Sequence, residues 1–250
     1  INHFCPLLYK NSVKNISIME SNSDQKFQRE IALKYLKSDI SIIPIRWKHK
    51  RANFKMLRKV MNCSSFYIAT ISPYLQRLPS KQEILVWFEQ KTNCGIVTGY
   101  KGIVTIDFDE ESSFEIWKKL YPDVFKNTPI QKTLRGYHVF IKISSQNRIS
   151  TSKALFQGKI IGDVVGYRGY TTVYPSIHPS GYAYKWLKSH EPWHQKIYSI
   201  QGLEDVGISQ VQKKTLCWVI AFWIKAILTK SPKESIYLIK EMIKDHLTRL

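Results

Sequence analysis

Residues 102–109 read Gly-Ile-Val-Thr-Ile-Asp-Phe-Asp, and the rest of the chain is organised around them. Ile103, Val104, Thr105 and Ile106 are apolar or β-branched, the composition of a buried strand. The run ends in two aspartates one residue apart. Side chains alternate faces along a strand, so Asp107 and Asp109 point the same way. Two carboxylates side by side on a rigid element repel each other unless a cation lies between them. Oxygen ligands of this kind suit Mg²⁺ or Mn²⁺, held through one or two carboxylates and the phosphates of a substrate. From this stretch alone, an Asp-rich strand end that caps the next helix is the competing reading.

Downstream, residues 159–165 read as a second strand and carry Asp163. A third carboxylate on an adjacent strand completes a site for two metal ions, which clamp the attacking and leaving oxygens of a phosphoryl displacement. Taken alone, Asp163 reads as a hairpin aspartate facing water. Residues 128–143 predict a hairpin broken at Arg135-Gly136, and its second half holds His138. A lone strand histidine is usually a packed one; beside a pair of carboxylates it suits a hydrogen bond to a substrate phosphate. Gly166-Tyr167-Arg168-Gly169 predicts a turn, with residues 170–174 as the return strand. Arg168 there suits a bidentate contact to a triphosphate, or is an exposed hairpin arginine. Ser176, His178 and Ser180 lie in a Pro- and Gly-punctuated loop that suits a nucleotide pocket or a simple turn. Tyr182, Tyr184 and Trp186 alternate after it and suit base stacking or a core.

Upstream, residues 26–37 have helical spacing, with Phe27, Ile31, Tyr35 and Leu36 on one side. Residues 41–47 predict a strand, and Pro44 places it at an edge or bulge. Residues 48–59 carry Lys48, Lys50, Arg51, Lys55, Arg58 and Lys59, read as a solvated loop or as a contact with template or triphosphate. Ser80 and Glu83 form a capping-box pair that opens a helix through Ile84, Trp87 and Phe88. Residues 94–98 predict a short strand, 112–120 a helix stopped by Pro122, and 144–158 a polar loop. Residues 1–24 predict a loose lead-in. Residues 211–229 predict a buried helix, and Ser231-Pro232 opens another. Strands in the middle with helices around them make the class α+β.

The chain has 250 residues, of which 44% are hydrophobic, enough for a real core. Against 19 Asp and Glu stand 38 Lys and Arg, a formal net charge of +19 that points to a polyanionic partner. The best apolar run, 216–224, is cut off by Lys225, well short of the ~20 residues that span a bilayer. No secretory pattern opens the chain. It begins on Ile rather than Met, which suggests a piece of something longer. Cys5, Cys63, Cys94 and Cys217 are scattered, which argues against a zinc module or a disulfide framework and fits a reducing compartment. There is no Gly-x-x-x-x-Gly-Lys-Ser/Thr phosphate loop and no Gly-x-Ser-x-Gly elbow, so neither a P-loop ATPase nor that kind of hydrolase is expected.

Together these pieces resemble the bifunctional primase/polymerase (prim-pol) family of the archaeo-eukaryotic primase superfamily. The resemblance covers about residues 26–186 and rests on the order of its motifs: Ile42-Ile43-Pro44-Ile45, residues 74–84 with Trp87-Phe88, Gly95-Ile96-Val97-Thr98-Gly99, the Asp107/Asp109 strand, His138, Asp163, and residues 175–181 followed by Tyr184 and Trp186. It implies a two-layer primase core with an RRM-like mixed sheet, divided as a lead-in over 1–25, a catalytic domain over 26–200 and a C-terminal helical segment over 201–250. It implies template-directed synthesis from nucleoside triphosphates in replicon or plasmid replication. Asp107, Asp109 and Asp163 would be catalytic and hold Mg²⁺ or Mn²⁺. His138, Arg168, Ser176, His178 and Arg135 would bind nucleotide, and Lys48, Lys50, Arg51, Lys55 and Arg58 nucleic acid. Implied partners are single-stranded DNA template, primer and a replicative helicase, with no membrane, in the cytoplasm of a plasmid- or virus-bearing cell.

There are departures. Gly136 stands where the family usually has a small residue such as Ser, two positions before the histidine. Residues 48–72 are longer and more basic than the family pattern. Residues 139–162 contain no Cys or His, so no zinc is expected. Rival readings are a DNA-binding module that no longer polymerises, an Asp-x-Asp nucleotide-sugar transferase and a two-metal nuclease.

Overall fold

The computed structural model describes residues 24–61, 70–145 and 148–211. The expected lead-in before residue 24 and the expected C-terminal helices lie outside the described residues. The described chain is α+β, as expected, and its sheets are almost entirely antiparallel.

In chain order the strands are β1 (Ile42–Ile45), β2 (Asn93–Val97), β3 (Ile103–Phe108), β4 (Ile130–Lys132), β5 (Tyr137–Ile143), β6 (Ser152–Phe156), β7 (Lys159–Val165), β8 (Tyr170–Val173), β9 (Lys185–Trp186), β10 (Ser199–Ile200) and β11 (Ile208–Gln210). The helices are α1 (24–37), α2 (Phe54–Met61), α3 (Lys81–Trp87), α4 (Glu111–Leu120) and α5 (Pro122–Lys126). A three-stranded sheet has the order β1-β2-β8. An eight-stranded sheet runs β11-β6-β7-β3-β5-β4-β9, with β10 pairing parallel to β5. β1 is an edge strand, which is where Pro44, lacking an N–H, is tolerated. The Ser80/Glu83 capping box forms at the start of α3, and Arg77 grips Glu83 with two guanidinium nitrogens at 2.7 and 2.8 Å.

Strand alternation divides the core in two. Ile106, Phe108, Val139, Ile141 and Val164 pack with Phe114 and Trp117 of α4. Ile103 and Phe140 instead join the core around the three-stranded sheet, with Tyr35, Leu57, Trp87 and Phe88. The face of β3, β5 and β7 opposite the α4 core therefore looks toward the smaller sheet. Two polar bridges span the sheets: Thr171 Oγ1 donates to Thr105 Oγ1 at 2.9 Å, and Gln131 reaches β8.

Three local expectations are corrected. Residues 54–61 are a helix, so Lys55, Arg58 and Lys59 ride on an exposed helical face and only residues 46–51 form the turn. Residues 152–156 are a strand inside the expected polar loop. The signal was Gln157-Gly158: both have left-handed φ (50° and 77°), as a two-residue hairpin turn between β6 and β7 requires. Residues 170–173 do not return against β7. After the Gly166–Gly169 turn, β8 leaves for the smaller sheet and pairs with β2, held at the crossing by the Thr98 hydroxyl on the Gly166 carbonyl (2.5 Å). Pro122 both follows α4 and opens α5, where its missing N–H costs nothing.

Candidate active site

One register row crosses six strands of the large sheet. Lys153 on β6 is opposite Asp163 on β7, Asp163 opposite Asp107 on β3, and Asp107 opposite His138 on β5. His138 is opposite Gln131 on β4, and Gln131 opposite Trp186 on β9. Directly opposed side chains on one face of an antiparallel sheet lie close enough to interact. The row thus assembles two of the expected carboxylates and the expected histidine from separate parts of the chain. Asp109 continues the β3 line just past its end, its N–H donating to the Ile161 carbonyl at 2.8 Å.

Two glycines let neighbouring backbone close on the aspartate strand. A Cβ at Gly162 (φ 147°) would lie 2.0 Å from the Asp107 carbonyl oxygen, and one at Gly136 would lie 1.8 Å from that of Phe108. Gly136, the departure noted in the sequence, is thus required by packing.

Burial pushes the Asp107 carboxyl up to about 7, and the negative charges of Asp109 and Asp163 add to this, while Lys50 and Lys153 pull it back. Asp163 has a cation of its own: Lys153 Nζ lies 3.0 Å from its Oδ1. Burial pushes His138 down to about 3, with Lys50 adding to it, so the ring is neutral at physiological pH. Its Nε2 faces Asp107 Oδ1 at 3.4 Å and its Nδ1 lies 3.0 Å from Gln131 Nε2. Tyr184 stacks on the ring at 6.0 Å between centroids.

Cationic loops converge on the row. Lys50, in the 46–51 turn, acts electrostatically on Asp107, His138 and His178. Burial lowers the His178 pKa first, then the positive charges of Lys50 and Arg135. Lys50 is therefore within electrostatic reach of the row and, with Arg135, of His178, though Lys50 reads from sequence as part of a nucleic-acid-binding cluster. Buried Asn93 holds two of these loops. Its amide exchanges two hydrogen bonds with the Ile177 backbone (3.0 and 2.8 Å) and its Nδ2 reaches the His49 carbonyl at 3.5 Å. Asn93 and Gln131 were not singled out from sequence; the signal each carried is an amide side chain next to a strand's apolar residue, Cys94 and Ile130 respectively.

Other expected residues are placed elsewhere. Ser176 is fully buried, its hydroxyl accepting from the Cys94 N–H (2.8 Å) and donating to the Cys94 carbonyl (3.0 Å), so its side chain fastens the loop to β2. Arg168 sits in the turn beyond the Val165 end of β7, away from Asp109, with its guanidinium 5.9 Å from the Tyr167 ring centroid. Lys48 and Arg51 are exposed in the 46–51 turn, and Lys55 and Arg58 are exposed on α2, beside the Lys59–Glu89 ion pair.

Among the described residues no three His, Cys, Asp or Glu side chains are gathered closely enough to make a ready-formed metal cage. The donor set nonetheless fits a hard divalent cation. Asp107 and Asp163 face the same way on paired strands, Asp109 follows in line, and their mutual repulsion is left partly uncompensated at Asp107.

Paired carboxylates on β3 and β7, a buried histidine on β5 and nearby cationic side chains are thus mounted on one face of an α+β scaffold. The chain belongs to the family of bifunctional DNA primase/polymerase N-terminal domains (Prim-Pol), whose model matches residues 32–198. The whole register row falls inside that match. No curated protein matches the chain. Among the described residues no helix is long and apolar enough to cross a membrane.

Proposed function

We propose that this domain is a template-directed nucleotidyltransferase that makes primers or extends DNA from nucleoside triphosphates. Family membership points to activity of the primase/polymerase type, with DNA and nucleotides as substrates. The observation that carries the fuller reading is the register of Asp163, Asp107 and His138 in one row, with Lys50 acting on it from the facing loop.

The reaction is an in-line displacement at the α-phosphorus, with pyrophosphate leaving. Asp107, Asp109 and Asp163 would hold Mg²⁺ or Mn²⁺, which when bound supplies charge neutralisation at the reacting phosphate and the leaving group. His138, neutral and packed against Tyr184, orients a phosphate oxygen. Lys50, Arg135 and His178 offset the charge of the triphosphate. Lys48, Arg51, Lys55 and Arg58 lie outside this ring and hold the template backbone, which makes binding strongly salt-dependent.

The test is a primer-extension and de novo synthesis assay on single-stranded template, with Mg²⁺ or Mn²⁺, ribo- and deoxyribonucleotides, and Asp107→Ala/Asp109→Ala as control. Template-dependent products that disappear in the double variant support the reading. A second reading, a DNA-binding module without polymerisation, has one observation in its favour: Lys153 already occupies Asp163. It predicts salt-sensitive DNA binding and no product with either metal.

A further inference from the structure

We propose that Gln131 is a positioning residue that fixes His138 as the Nε2–H tautomer, so that the ring presents a hydrogen-bond donor to the acidic row. The inference rests on the nucleotidyl-transfer reading only for the use made of that donor; the tautomer itself follows from hydrogen-bond chemistry.

Gln131 is completely buried on β4. The Tyr174 backbone N–H can only donate, so the atom 2.7 Å away must be the amide oxygen Oε1. The Thr172 carbonyl can only accept, so the atom 3.0 Å from it must be Nε2. Turning the amide over would set donor against donor at Tyr174 and acceptor against acceptor at Thr172 and leave both unpaired. The amide is therefore oriented by the β8 backbone. One Nε2 hydrogen goes to Thr172, and the other is directed at His138 Nδ1, 3.0 Å away.

A nitrogen that accepts that hydrogen carries no proton of its own. An imidazole with a bare Nδ1 carries its proton on Nε2, the atom that faces Asp107 Oδ1 at 3.4 Å. His138 consequently offers the row a donor and no lone pair. That suits an anionic phosphate oxygen and excludes Nε2 as a metal ligand in this state. Tyr184, stacked on the ring, holds its plane. Because Thr172 and Tyr174 belong to the smaller sheet and its continuation, the orientation of the histidine depends on the two sheets being docked.

The test is long-range ¹H–¹⁵N correlation of the histidine rings in the ¹⁵N-labelled full chain near neutral pH, without nucleotide, with the His138 signals identified by their loss in His138→Asn. The expected wild-type spectrum has a protonated Nε2 and an unprotonated Nδ1. A protonated Nδ1 in the wild type overturns the proposal, whatever any variant does. In Gln131→Glu the carboxylate has no hydrogen to give, so the proton moves to Nδ1, and kcat/KM for the nucleotide falls by about tenfold or more. A folded Gln131→Glu that keeps the Nε2–H pattern also overturns it. An Nε2–H wild-type ring in a protein that makes no product leaves the tautomer inference standing and removes the polymerase reading.

Discussion

Asp163 and Asp107 stand directly opposite each other on antiparallel strands β7 and β3, and only Asp163 has a close lysine partner, Lys153 at 3.0 Å. Like charges placed opposite each other in a sheet are destabilising. The row thus holds electrostatic strain concentrated on Asp107, the more buried of the two. Burial and the neighbouring carboxylates push that group up to about 7.

Replacing Asp107 by Asn removes both the strain and the metal ligand. Primer extension should fall by about 10³-fold or more, equivalent to ~4 kcal/mol of transition-state stabilisation. At the same time the metal-free protein at pH ~8 should gain stability, on the order of 1–2 kcal/mol, and so melt at a higher temperature. A variant that loses activity and also stability would mean that Asp107 is held by contacts other than these.

The pH dependence has a defined sign. The carboxyl of Asp107 is protonated up to about 7 when folded but only to about 3.8 in its ordinary state. Its contribution is therefore fully present at low pH and is lost as pH rises through about 7. Mn²⁺ needs the ionised form and relieves that loss. The rise in melting temperature caused by Mn²⁺ should thus grow between pH ~5.5 and ~8, and it should be flat in Asp107→Asn. His138 acts in the opposite sense: its folded pKa is depressed from 6.5 to about 3, so its contribution is full above the ordinary histidine value and is lost as pH falls from there through about 3. Differential scanning fluorimetry across pH, with and without Mn²⁺, separates the two.

Lys50 and the α2 cations are expected to divide the work. Lys50→Ala should raise the nucleotide KM by about tenfold, the worth of one charge-assisted contact, with little change in DNA affinity. Lys55→Ala/Arg58→Ala should leave the nucleotide KM near wild type and flatten the plot of log Kd against log salt by about 1.4, two single-strand phosphate contacts. Steady-state kinetics and fluorescence anisotropy at several salt concentrations distinguish them.

Gly162→Ala places a methyl 2.0 Å from the Asp107 carbonyl oxygen at a φ of 147°. It should cost about 3 kcal/mol or more and misplace the row. Gly158→Ala, also at positive φ (77°) but with open space around it, should cost only about 1–2 kcal/mol. Urea melts of the two variants compare clash with conformational strain.

Much of the local structure was legible in the sequence. The alternation of residues 103–108, the break at Arg135-Gly136, the Ser80/Glu83 cap and the edge position of Pro44 each follow from residues close in the chain, and each appears in the structure. The β6 strand was missed because only Ala154 and Phe156 of its five residues are buried, too few to mark a period, although Gln157-Gly158 announced its turn. The candidate site was legible as a set of residue types but not as an arrangement. Sequence alone determined that Asp107 lies on a strand, on the face opposite Ile106 and Phe108, since that follows from the two-residue repeat; Asp109 falls one residue past the end of that strand. Tertiary structure decided that Asp163 lies opposite Asp107, that Lys50 comes within electrostatic reach of the row, that β8 crosses to the other sheet and that Gln131 bonds the His138 ring. Register between distant strands is set by which faces are buried together and by the glycines that let backbones close, and no local period in a chain encodes either.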